Sequence, residues 1–166
     1  MQKPRFIKSY AATTATAETR TQIMSLLERY GGTGFGYETR DSDIVVTFTV
    51  PGAIGKPLRV AYPVNIARVQ ERLGPLYKQM KKGPPTREQA ERVAWRNIYE
   101  LVDAAFAAAA IGASTVEETF HAHLIIETAD GSQGRLYDYV ESLRGASGGS
   151  LPSLQDATRL LSSSNK

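Results

Sequence analysis

Apolar residues at Ile23, Leu26, Leu27 and Tyr30 keep the i, i+3, i+4, i+7 spacing of one helical face. The helix they predict is entered past Thr13, Thr14 and Thr16, whose hydroxyls suit N-caps, and ends at Gly31-Gly32. Ahead of it, residues 5–10 read as a short strand. Behind it the period changes from helical to alternating, and three strands are expected. The first covers residues 35–39, with Phe35 and Tyr37 on one face, and turns at Asp41-Ser42-Asp43. The second covers residues 44–50 and is rich in β-branched side chains. Pro51-Gly52 and a Gly-Lys-Pro turn break it. The third covers residues 58–64, where Leu58, Val60, Tyr62 and Val64 alternate with Arg59, Ala61 and Pro63, as in a half-buried strand.

The pattern then becomes helical to the end. Asn65 caps a short helix with Ile66, Val69 and Leu73 inward, and Gly74-Pro75 is expected to stop or kink it. Residues 76–82 offer another turn or two before the stiff basic connection Lys81-Lys82-Gly83-Pro84-Pro85. Thr86-x-x-Gln89 is a capping box. It opens the strongest element, a central helix running to about Ile111, with Gly112 beyond it. Ala90, Ala94, Ile98, Leu101, Ala105 and Ala108 form one face, and Trp95, Val102, Phe106 and Ala109 an adjoining one. So wide an apolar arc is buried on two sides. Its alanine-rich end, from Ala104 to Ala110, allows close approach by a neighbouring helix, in this chain or in a second copy forming a homo-oligomer. Ser114-x-x-Glu117 is read as a further capping box opening a helix to about Leu124. Residues 129–132 make a turn, and residues 135–143 a last core helix with Leu136, Tyr139, Val140 and Leu143 inward. Strands followed by helices argue an α+β fold, a short antiparallel sheet in the order β-α-β-β-β with helices on one face. Residues 1–145 make the domain, residues 146–152 a Gly/Ser linker, and residues 153–166 a short amphipathic helix and a disordered tail.

Composition narrows the chemistry. Without cysteine the chain has no disulfide framework, thiolate zinc site or cysteine nucleophile. The opening residues lack the apolar segment of a secretory signal, and the longest apolar run, residues 104–111, is too short for a bilayer. A cytoplasmic protein without membrane attachment is the expectation. The net charge of +3 hides a strong asymmetry. Between residues 54 and 96, ten basic side chains face three glutamates, a balance of +7; between residues 100 and 145, eight acidic side chains face two arginines, a balance of −6. Either the two stretches neutralise one another or the basic one meets an anionic partner.

Most candidate motifs fail on context. The glycines at 31, 32, 34 and 36 follow a helix and enter a strand, the reverse of a phosphate loop, whose helix N-terminus points at the phosphate. Residues 52–57 lack Walker spacing, and Pro57 stands where a hydroxyl is needed. His121 and His123 converge only on a strand, whereas Glu117 and Glu118 would join His121 only on a helix, so no metal site is expected. Glu38, Asp41 and Asp43 are explained by their turn. No catalytic residue and no cofactor is assigned. The basic stretch remains: Arg68, Arg72, Lys78, Lys81, Lys82, Arg87, Arg92 and Arg96, interleaved with Tyr62, Tyr77 and Trp95. Arginines beside aromatics suit phosphate pairing and base stacking.

Glu91-Arg92-Val93-Ala94-Trp95-Arg96 leads into the alanine-rich helix. Glu118-Thr119-Phe120, Asp130-Gly131 before Leu136-Tyr137, and an early Lys8-Ser9-Tyr10 complete a pattern over about residues 6–143. It resembles a group of small uncharacterised proteins encoded by phages and prophages. Members of that group carry aromatic and glutamine positions where this chain has alanines from Ala107 to Ala110, which leaves the packing partner of the long helix open. No activity comes with the resemblance; it implies origin, a mobile-element accessory protein acting in a bacterial cytoplasm. The expected function is non-enzymatic binding of an anionic ligand, single-stranded nucleic acid or a nucleotide, through the basic stretch. The alternatives are an anti-defence protein that sequesters a nucleotide signal, and a protein–protein inhibitor that uses the alanine-rich helix.

Overall fold

A computed structural model describes residues 7–52, 55–128 and 131–146. Ala146, the expected first residue of the linker, is instead the last residue of a helix; the rest of the expected linker and tail, residues 147–166, lies outside the described residues. The fold is α+β: five helices with a three-stranded and a two-stranded antiparallel sheet.

α1 (Thr16–Arg29) buries Ile23, Leu26 and Leu27, the periodic face. Its N-cap is Ala15, with no side-chain cap. The threonines expected to cap it do not; the Thr19 hydroxyl instead donates back to the Ala15 carbonyl. Gly31 ends the helix at φ +77°, in the left-handed region open to glycine, and Gly32 N–H donates to the Leu27 carbonyl at 2.7 Å. A Cβ on Gly32 would lie 3.0 Å from the Thr49 carbonyl, so the chain reaches the sheet by a close backbone approach.

β1 (Thr33–Arg40), β2 (Asp43–Pro51) and β3 (Pro57–Asn65) form a meander in the order β1-β2-β3. Opposed residues of an antiparallel pair share a face, and the register sets Tyr37 beside Val46 and Val46 beside Tyr62. The buried face carries Ile44, Val46, Phe48 and Val50, alternating with half-buried Val45, Thr47 and Thr49 on the other side. Helices cover the buried face only, as the alternation requires. The strand expected at residues 5–10 is corrected: Arg5 and Phe6 lie outside the described residues, and Ile7 to Tyr10 forms a turn. Ser9 at φ 59° interrupts any extended run there, and Tyr10 N–H returns to the Ile7 carbonyl.

α2 (Ile66–Gln79) starts where expected but passes through Pro75. Proline inside a helix costs about 3 kcal/mol relative to alanine. The helix continues because fully buried Leu73 and partly buried Tyr77 anchor its turns to the core on either side of the break. α3 (Arg87–Ala110) is the central helix, packed against both α1 and α2, with Ala94, Ile98, Val102, Ala105 and Phe106 buried. Only half of the expected capping box forms. Thr86 accepts from Gln89 N–H, while the Gln89 side chain donates to the Tyr10 and Ala12 carbonyls and ties down the N-terminal segment. α4 (Val116–Phe120) is capped one residue later than expected, by a complete box of Thr115 and Glu118. It ends after five residues in a 3-10 turn, His121–His123, because Phe120 and Leu124 are drawn into the core. β4 (Ile125–Glu127) and β5 (Gln133–Arg135) form a hairpin that the sequence pattern did not suggest, and α5 (Leu136–Ala146) closes the described chain.

Candidate anion-binding site

α2 presents its cations to solvent because its other side is held inward. The Asn65 carboxamide oxygen accepts from Arg68 N–H at 2.7 Å, and its nitrogen donates to Asp43 at 2.6 Å, which fixes the first turn. Ile66 and Leu73 are buried. Arg68 and Arg72, one turn apart, are therefore exposed, and neither side chain has an ion pair or hydrogen bond among the described residues. Glu71, the acidic residue of α2, is also exposed and pairs with neither. Lys78 and Lys81 are likewise unpaired among the described residues. Lys81 sits at φ 56°, in the position after the helix that normally favours glycine. Lys82 lies over the Tyr77 ring at 5.6 Å, and the Tyr77 hydroxyl donates toward the Tyr10 carbonyl at 3.5 Å, so Tyr77 is a packing residue.

The cations of α3 are in a different state. Arg87 pairs with Glu91 and donates to the Asp41 carbonyl; Arg92 pairs with Glu88. Arg96 pairs with Glu100 at 3.5 Å, donates to Gln22 and lies over the Tyr99 ring. Glu100 also accepts from the Ser9 hydroxyl at 2.6 Å and faces the Lys8 ammonium at 3.1 Å. Burial by itself would raise the Glu100 carboxyl, but the hydrogen bonds from Ser9 and Lys8 and the charges of Lys8 and Arg96 outweigh it and hold the group below its ordinary range. Among the described residues, Arg96–Glu100 is the one ion pair that joins the basic stretch to the acidic one; Arg135–Asp138 and Arg144–Glu141 close within the acidic stretch itself.

Trp95 does not join a ligand surface. It is 2 % exposed in the core, with the Tyr37 ring edge-on at 5.4 Å and Arg20 over both rings. Its position on the sheet-facing side of α3, rather than its neighbouring arginines, decides its role.

A cleft of about 580 Å³ opens between β3, the first half of α2 and the middle of α3. Arg68 and Arg72 stand at it, together with Asn65, Asn97 and Asp43, and Val64, Val69, Val93, Ala94 and Ile98 are among its apolar lining. Tyr62 lines it as well. The Tyr62 ring also meets His123, with centroids 4.4 Å apart. Burial pushes the Tyr62 phenol above its ordinary value, so it stays protonated, and its hydroxyl has no hydrogen bond among the described residues. Burial, then the Arg135 charge, push His123 down against a smaller opposing effect of Asp138, so its ring stays neutral against Tyr62. The structure thus brings together Tyr62, Arg68 and Arg72 of the expected residues. Lys78, Lys81, Lys82 and Tyr77 lie farther along α2 or just past it, and Arg87, Arg92, Arg96 and Trp95 are engaged elsewhere. Sequence reasoning missed Asn97, whose one local signal is its position four residues after Val93; its amide donates to the Val93 and Lys8 carbonyls at 2.7 and 2.9 Å.

Gly31 to Gly36 serve as helix end and strand entry, as their context implied. His121 and His123 fall in a 3-10 turn, and the described residues hold no group of three or more potential metal ligands. No described helix is long and apolar enough to cross a membrane. Comparison of the chain with protein-family models, with curated proteins and with solved structures finds no match.

Proposed function

We propose that the protein binds a phosphorylated ligand, a nucleotide or single-stranded nucleic acid, through the unpaired cations of α2, and that it acts as a binding protein rather than a catalyst. The observation that carries this is the state of Arg68 and Arg72: exposed, one turn apart, without a carboxylate partner among the described residues, and beside a cleft. Like charges at i, i+4 cost a helix about 0.2–0.5 kcal/mol per pair. A phosphate placed between them reverses the sign of that interaction, and the planar guanidinium matches phosphate oxygens two at a time. Lys78 and Lys81, also unpaired, extend the positive potential along the same helix and its end. An accessory role in a bacterial host, suggested by the likeness to phage-encoded proteins, is compatible with such binding.

Fluorescence anisotropy with labelled oligothymidylate and a labelled nucleoside triphosphate across a salt series tests this. For a single strand, affinity should fall with a log–log slope of about −0.7 per contacted phosphate. Arg68→Glu with Arg72→Glu should abolish binding of both probes without lowering the melting temperature. Flat titrations with both probes at low salt would remove the proposal.

A second reading, association through the end of α3, rests on Ile111, 81 % exposed next to exposed Ala104, Ala107 and Ala110. Ile111→Glu should then shift sedimentation toward a smaller species at equal concentration; an unchanged sedimentation pattern removes this reading.

A further inference from the structure

We infer that the cleft takes the base of a nucleoside phosphate whose phosphates lie on Arg68 and Arg72, so that the site reads one nucleotide unit, base and phosphate together, and does not read backbone charge alone. This rests on the phosphate-binding role of the two arginines and adds a ring-binding half to it.

Three features of the cleft carry the inference. Its volume of about 580 Å³ falls within the ~300–1,000 Å³ of small-ligand sites. Two exposed arginines that bound phosphate only through charge would need no cleft beside them. The wall is apolar and prebuilt. Val93, Ala94 and Ile98 belong to the buried face of the central helix, and Val69 faces them from α2. Tyr62 is held in place by its strand pairing with Val46 and by contact with the His123 ring, so an aromatic side chain is already ordered at the cleft at little further entropic cost. Polar groups with unused capacity stand in the same wall. The amide of Asn97 is spent on two backbone carbonyls, which turns its carboxamide oxygen into a committed acceptor with no partner among the described residues. The Tyr62 hydroxyl is also unspent. An acceptor and a hydroxyl in an apolar slot, with two guanidinium groups at the same cleft, complement a flat ring that bears N–H donors and carries phosphate at one end. Asn65, by contrast, has both halves of its side chain occupied by Arg68 N–H and Asp43, and shapes the helix start instead.

Isothermal titration of the full-length protein with ATP and, separately, with inorganic tripolyphosphate tests the inference directly. The two probes share their phosphate charge and differ by the base and ribose. Stacking and burial of a base should make ATP bind tighter by roughly tenfold or more. Val69→Phe, which fills the cleft from α2 and leaves both arginines, should remove that advantage and leave tripolyphosphate binding unchanged. Equal affinity of the wild type for the two probes overturns the inference without touching the arginine reading, and that comparison does not depend on the variant folding. If neither probe nor an oligonucleotide binds, the arginine reading itself has failed. A labelled oligoadenylate distinguishes the two sources of a nucleotide unit. Displacement of the strand by ATP supports the inference with a strand end as one source, ATP binding without strand binding supports it with free nucleotide as the source, and a strand that ATP does not displace overturns it.

Discussion

α2 and the first half of α3 each carry arginines four residues apart, and the two helices put them to different uses. On α3 every arginine has a carboxylate one turn away, Glu91 for Arg87, Glu88 for Arg92 and Glu100 for Arg96, and each pair forms. On α2 the position four before Arg72 is Arg68, the position four after it is Leu76, and both arginines stay unpaired among the described residues. Counting charge along the chain therefore overstates the free positive surface. Side chains three or four residues apart meet on a helix, so what separates a self-neutralised face from one that can receive an anion is whether a carboxylate at that spacing closes on the arginine: those of α3 do, and Glu71, three residues after Arg68, does not. The acidic second half of the chain neutralises little of the basic stretch.

Under the proposed function this contrast puts stability on α3 and ligand binding on α2, and it can be broken in order of effect. Trp95→Ala should be the most damaging single change, about 3–5 kcal/mol, since a fully buried aromatic leaves a large cavity. Chemical denaturation measures it, and a loss under about 1 kcal/mol would mean that Trp95 is not the core residue its burial indicates. The reversal Arg68→Glu with Arg72→Glu should leave stability within about 0.5 kcal/mol, as exposed substitutions usually do, while abolishing anion binding. The matching reversal on the other helix, Arg87→Glu with Arg92→Glu, should keep most of the binding. If the α3 reversal abolishes binding and the α2 reversal does not, the comparison is inverted. Lys81→Gly should stabilise the protein by up to about 1 kcal/mol by removing a side chain from a left-handed position. The same change should weaken anion binding slightly, since it removes an unpaired cation. A destabilised Lys81→Gly variant would show that the lysine side chain is held by packing.

The smallest effect concerns pH. Glu100 is held below its ordinary value of 4.5, so the stability it contributes is fully present above that value and is lost as pH falls through the lowered folded value. Melting curves of wild type and Glu100→Gln should differ at neutral pH and converge in acid. A gap that persists into strong acid would show that the carboxylate charge is not what Ser9, Lys8 and Arg96 recognise.

Much of the fold was legible. The meander followed from alternation over residues 44–50 and 58–64 and from the turn residues between them. The long helix followed from Thr86 and an apolar arc, and Asn65 capped α2 as its side chain allows. The misses share a cause. Gly74-Pro75 reads locally as a stop or a kink with another turn or two beyond it, and the helix runs through it as one element, with Leu73 and Tyr77 packed into the core on either side. Thr115 displaced Ser114 as the cap of α4, and Phe120 and Leu124 shortened that helix by entering the core. The hairpin β4–β5 is three residues per strand, too short for alternation to register, and an isolated bridge from Val60 to Leu124 places it at the edge of β3. Of the site, the spacing of Arg68 and Arg72 was legible and the cleft was not.

The chain by itself determined the three-strand meander, which helix is central, and the spacing of Arg68 and Arg72 on α2, because each of these depends on residues within a few positions of one another. Whether Trp95 stacks on a ligand or fills the core could not be decided that way, since the same helical position serves either role until a sheet is laid against it. The cleft needed the tertiary structure for the same reason. Asp43, Tyr62, Arg72 and Asn97 reach it from two strands and two helices, and only the packing of α2 and α3 on one face of the meander brings side chains so far apart in sequence to a single wall.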